Sequence, residues 1–133
     1  SLNPKARYRK VYTIEEVIPL DTTGNKFRVV IRLNPDHDIF KGHFPGNPVL
    51  PGVCIIQILK EIVSRQIRMD VLIDRIISTR FLSMINPEAD RVINFDLELQ
   101  SGTENYQLLC NTNIYSGTNV FCRYKGTFRV LQK

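Results

Sequence analysis

Residues 26–33 place Phe27, Val29, Ile31 and Leu33 on one side of an alternating pattern and Arg28 and Arg32 on the other, the period of a half-buried strand. A β-branched run at residues 11–20 precedes it. The turn-forming residues Asp21, Thr22, Thr23, Gly24 and Asn25 separate the two, so the pair predicts a β-hairpin. Pro35 ends the second strand, because proline supplies no ladder donor. Residues 36–40 then form a turn or a single helical turn. From Pro51 the period becomes helical. Val53, Ile55, Ile56, Ile58, Leu59, Ile62, Val63 and Ile67 carry a helix to about Arg68. Gln57, Lys60, Glu61, Ser64, Arg65 and Arg68 are spaced as its one polar face, and Gln57 alone interrupts the first two turns.

Beyond residue 71 the period returns to two. A strand is predicted at residues 76–84 and a loop at 86–90. At 91–99, Ile93, Phe95, Leu97 and Leu99 oppose Asn94, Asp96 and Glu98. Strands at 105–115, with Tyr106, Leu108, Cys110 and Ile114 on one face, and at 120–131, with Val120, Cys122, Tyr124, Phe128 and Val130 on one face, complete an antiparallel meander. No internal repeat or domain boundary interrupts residues 1–133, which read as a single domain. Two strands, one long and mostly apolar helix, and about four more strands predict the α+β hot-dog fold, a curved antiparallel sheet wrapped around a central helix. One sheet cannot cover such a helix completely. A homodimer or higher homo-oligomer is therefore expected, with a second copy closing over the remainder.

Composition narrows the partners. The chain has 133 residues, 43% of them hydrophobic and 23% charged. No apolar run approaches the roughly 18 residues that span a bilayer, and residues 1–10 carry no apolar signal core, so neither membrane insertion nor a signal peptide is expected. Cys54, Cys110 and Cys122 match no zinc or disulfide spacing, and a reducing cytoplasm is the expected setting. The net charge of +5 is spread along strand-like segments, which argues against nucleic acid and fits an acidic protein partner.

The chemistry concentrates in Gly42-His43-Phe44-Pro45-Gly46-Asn47-Pro48-Val49-Leu50-Pro51-Gly52-Val53. His43 is the candidate base, its imidazole being mostly neutral at pH 7 with an ordinary pKa of about 6.5. The helix start at Pro51 and Gly52 offers unpaired N–H groups and the positive end of a dipole, suited to a developing oxyanion. Gly46 and Pro48 shape the turn. These twelve residues resemble the signature of the 3-hydroxyacyl-acyl carrier protein dehydratases of type II fatty acid synthesis. The similarity extends more weakly to Phe81, Leu82, Pro87 and Asp90. The resemblance implies a hot-dog dimer acting in lipid biosynthesis on an acyl thioester carried by the phosphopantetheine arm of acyl carrier protein, with no other cofactor and no metal. It implies His43 as base, Gly52 N–H as oxyanion donor, and Phe44, Gly46, Pro48 and Val53 as substrate-binding positions.

The departure lies at Gln57. In the family a carboxylic acid stands fourteen positions after the histidine, on the central helix of the other subunit; here that position holds an amide, which has no proton to deliver. Three readings stay open: altered or weak dehydration, thioester hydrolysis with Gln57 orienting a water, or non-catalytic binding of acyl groups or their carrier. Glu61, one turn further on, is expected to pair with Arg65. Lys41, Lys60, Arg65 and Arg68 are candidate docking points for the carrier. Cys54, Cys110 and Cys122 are expected in the core, and His37, between Asp36 and Asp38, in solvent.

Overall fold

A computed structural model describes residues 10–40 and 46–132. Its elements are β1 (Tyr12–Pro19), β2 (Lys26–Leu33), a 3-10 turn (Asp38–Phe40), α1 (Gly52–Ile67), β3 (Val71–Phe81), β4 (Val92–Ser101), β5 (Gln107–Ser116) and β6 (Asn119–Val130). All six strands join one antiparallel sheet in the order β1-β2-β4-β5-β6-β3. The alternation in β2 and β4 sets their register. Phe27 lies opposite Leu97, Val29 opposite Phe95 and Ile31 opposite Ile93, so that all six side chains share the inner face. Against that face α1 buries Ile55, Ile56, Ile58, Leu59, Ile62 and Val63. Each such aliphatic side chain contributes about 1.5–3 kcal/mol of transfer free energy when fully buried.

The helix stops where its chain turns left-handed. Arg68 adopts φ 59°, its N–H bonds Ser64 O, and Ser64 Oγ donates to the Met69 carbonyl at 2.7 Å. The α+β hot-dog expectation is met, and the predicted hairpin, helix and meander are all present.

Three boundaries differ from the sequence pattern. The strand expected at residues 76–84 occupies Val71–Phe81, because register shifts between Ile73 and Arg75 and between Ile76 and Ser78 break its alternation. Tyr106 was expected to face inward from a strand. It takes φ 61° before β5 begins and is exposed. A register shift beside Tyr115 turns Phe121 as well as Cys122 into the core, leaving Val120 only half-buried. The helix also departs from its expected N-terminal wrapping: Val53 is 79% exposed and Gln57 faces outward.

Candidate functional site

The turn leading into α1 is held by backbone contacts. Gly46 has φ 79°, a left-handed conformation that suits glycine. Pro48 is half-buried, Val49 and Leu50 are buried, and Leu50 N–H donates to Ile85 O at 2.9 Å. Pro51, extended at φ −62° and ψ 147°, caps the helix with no side-chain hydrogen bond. Its carbonyl accepts the N–H groups of Cys54 and Ile55. Among the described residues, the N–H groups of Gly52 and Val53 meet no acceptor. Two donors without an acceptor among the described residues therefore stand at the positive end of a sixteen-residue helix dipole.

Glycine at position 52 leaves room for a neighbouring aromatic ring. A Cβ at this position would lie 2.9 Å from Cε1 and Cζ of Phe81, so the ring of the last β3 residue rests directly on the helix start. His43 and Phe44, the expected base and its neighbour, lie outside the described residues, as does Lys41.

Further along α1, Gln57 opens onto a hollow of about 840 Å³ between the two edges of the sheet, with Tyr12 of β1 on one side and Leu72 of β3 on the other. Cys54, Glu61, His37 and Arg65 also line it. Gln57 Nε2 donates to Glu61 Oε2 at 3.3 Å, and the Tyr12 hydroxyl donates to Glu61 Oε1 at 2.7 Å. Burial, reinforced by the hydrogen bond and charge of Glu61 and only slightly opposed by Arg65, raises the pKa of Tyr12 well above the ordinary phenol value.

Glu61 thus differs from its expected role. Its hydrogen bonds go to Tyr12 and Gln57, and no ion pair with Arg65 is present among the described residues. Cys54 packs against the core but is only half-buried, on the wall of the hollow, with burial raising its thiol pKa. Cys110 and Cys122 are core residues as expected, their thiols pushed up by burial to about 12 and about 11. His37 is half-buried, where solvent was expected, and its Nδ1 accepts the Ile39 N–H at 3.0 Å. No group of metal-ligating side chains occurs among the described residues.

Of the predicted positions, Val53 and Gln57 are exposed on α1 and Gly52 is half-buried at its start, while Gly46 and Pro48 lie in the turn before it. Phe81 and Tyr12 were missed as parts of this surface. Tyr12 is 49 residues from Glu61, and no local pattern announces a contact over that separation.

A protein-family model described as ApeI-like, ApeI dehydratase, matches residues 20–118. The chain belongs to this family. The ApeI-like chain is 47% identical over 49 residues to a 3-hydroxyacyl-[acyl-carrier-protein] dehydratase FabZ of Enterococcus faecalis, covering 37% of this chain and 32% of that protein. A FabZ of Ligilactobacillus salivarius is 44% identical over 48 residues, covering 36% and 31% respectively. The matched segment thus spans about one third of the length of these relatives. Among solved structures, the dehydratase heterocomplex ApeI:P of Xenorhabdus doucetiae superposes with a TM-score of 0.61 at 17% identity, covering 90% of this chain and 97% of that one. A hypothetical thioesterase with coenzyme A from Streptococcus pneumoniae gives 0.62 at 14% identity, covering 92% and 87%. Both carry the fold of this ApeI-like chain. No helix among the described residues is long and apolar enough to cross a membrane.

Proposed function

We propose that this ApeI-like protein removes water from a 3-hydroxyacyl thioester carried on the phosphopantetheine arm of acyl carrier protein. The observation that carries the reading is the family match over residues 20–118, which contains the entire histidine motif and the helix bearing Gln57. The free N–H groups at the start of α1 support it, since a thioester carbonyl gains negative charge as the C2 proton leaves.

In this mechanism Gly52 N–H holds the thioester oxygen and His43 takes the C2 proton. The C2–H electron pair forms the new C2–C3 double bond as the C3–O bond breaks. The hydroxyl leaves with the proton returned by His43, as water, so that one imidazole serves both steps and no second acid is consumed. Gln57, reaching in from the central helix of a second subunit, orients the hydroxyl by hydrogen bonds. Phe44, Gly46, Pro48 and Val53 line the approach of the acyl arm. No metal or further cofactor enters these steps.

Assembly into at least a dimer follows from the same reading. Edge strand β3 exposes Leu72, Ile73, Ile76, Ile77 and Phe81 on both of its faces, and Val53 and Met84 are bare. A second copy at that edge would cover them. A monomer in light scattering would instead call for an unlike chain there, the kind of assembly named for the Xenorhabdus doucetiae protein. Three free thiols suit the reducing cytoplasm in which we place the reaction.

One experiment tests the activity: incubation with 3-hydroxyacyl and with saturated acyl carrier protein, followed by mass spectrometry of the products. Loss of water from the first is expected. Release of free acid would establish the second reading, a thioesterase, which the amide at position 57 favours because it can hold an attacking water. Binding without turnover would leave a carrier-binding module. A His43→Ala variant with undiminished dehydration would remove His43 from the mechanism.

A further inference from the structure

We propose that Tyr12 and Glu61 are positioning residues that lock the Gln57 side chain with its carbonyl oxygen, and not its NH2 group, turned toward the reacting atoms. The proposal rests on the reading of Gln57 as a site residue and adds which end of the amide does the work.

A glutamine amide has two faces of opposite character, and either could meet a substrate hydroxyl. The choice is made by what holds the other end. A carboxylate offers only acceptors, so the group that Gln57 turns toward Glu61 has to be the nitrogen, as the 3.3 Å Nε2 to Oε2 contact records. Glu61 is itself tied down. Its second oxygen receives the Tyr12 hydroxyl at 2.7 Å, and Tyr12 belongs to β1, paired with Leu33 of β2. The chain therefore runs from the sheet edge through a phenol and a carboxylate to an amide on the helix. Each member is fixed by a donor that cannot exchange roles with its acceptor.

This arrangement has an electronic consequence. A negative charge accepting from an amide N–H draws the amide toward its dipolar form and places more density on Oε1. Gln57 thereby presents a strengthened acceptor to the hollow, and a substrate hydroxyl or a bound water is held there by its own hydrogen. The oxygen lone pairs of that hydroxyl stay free to receive the proton from His43. Turned around, the amide would occupy those lone pairs and compete with the imidazole. The one-base elimination needs the first orientation.

The test combines a structural and a kinetic readout on the intact protein. Side-chain amide NMR of selectively labelled Gln57 is recorded for the wild type, Tyr12→Phe, Glu61→Ala and Glu61→Gln, with turnover of 3-hydroxyacyl carrier protein measured in parallel. In the wild type the two amide protons are expected to be widely split, and the split is expected to narrow in Glu61→Ala and, by a smaller amount, in Tyr12→Phe. Loss of orientation should lower kcat about tenfold in Glu61→Ala with KM within about twofold, the loss expected from one hydrogen bond of about 1.4 kcal/mol. Glu61→Gln, which keeps the side-chain shape but has no charge and a single accepting oxygen for the two donors, should recover only part of that loss. A simple fold defect would show no such recovery.

Unchanged amide signals and unchanged kcat in Glu61→Ala, beside an impaired Gln57→Ala, would overturn the proposal. Full activity in Gln57→Ala would overturn the underlying site reading instead. The amide signals report the orientation in either case.

Discussion

Two carboxylates in this protein each accept a tyrosine hydroxyl, and they are built for opposite ends. Asp96, on the outer face of the sheet, receives Tyr115 at 3.0 and 3.1 Å and also the two nitrogens of Arg28, at 2.7 and 3.1 Å. The fork of the guanidinium matches both oxygens, and the Arg28 pKa is raised chiefly by this hydrogen bond. Glu61, over the helix, receives Tyr12 and Gln57, both neutral donors. Asp96 is saturated and compensated, and it joins β2, β4 and β5. Glu61 spends its hydrogen bonds on aiming another side chain. The difference teaches that a Tyr–carboxylate pair is structural or functional according to the third group present.

That contrast breaks most visibly at position 57. Gln57→Ala should lower kcat about a hundredfold while leaving the unfolding midpoint near the wild-type value, because the residue is exposed and packs against nothing in the core. Gln57→Glu sharpens the point. The new carboxyl would restore an ionisable acid at this position, so dehydration should accelerate and the gain should fade as rising pH removes its proton. A flat pH profile would refute this.

At the other carboxylate the effects reverse. Arg28→Ala should cost about 1 kcal/mol in urea unfolding, discounted for the partial exposure of the pair, with activity per folded molecule unchanged. A loss of turnover without a loss of stability would contradict the structural role of Asp96.

Asp74 provides a third case. Hydrogen bonds from Gln107 and Thr127, with Arg129 nearby, hold its carboxyl below the ordinary value. A depressed folded-state pKa gives stability that is present above the unfolded value near 3.8 and is lost as pH falls toward and through the folded one. Urea midpoints followed downward from pH 5 should therefore drop more steeply for the wild type than for Asp74→Asn. Smallest of all is a difference in alkylation rate: Cys54, half-buried on the hollow, should react with iodoacetamide well before Cys110 and Cys122, whose thiols stay neutral under burial.

The legibility of the fold followed burial. Where one face is covered and the other wet, as in β2 and β4, alternation alone located the strand and its inward residues. It failed at β3, an edge strand whose two irregularities and apolar residues on both faces erase the period. The site was legible to the extent that it is local. The turn into α1, Gly52 and Gln57 could be read from consecutive residues. Tyr12 and the Phe81 ring could not, because both reach the helix from opposite edges of the sheet. Glu61 was read as an Arg65 partner because helical spacing reports neighbours on one helix and is blind to a phenol arriving from β1.

The contact between Phe81 and Gly52 couples two parts of the molecule mechanically. Phe81 ends the edge strand, and its ring bears on the first residue of α1 with no room for even a methyl group between them. A larger side chain at position 52 would have to displace that ring, so the end of the edge strand and the first turn of the helix share one boundary, and the size of residue 52 sets how closely they meet.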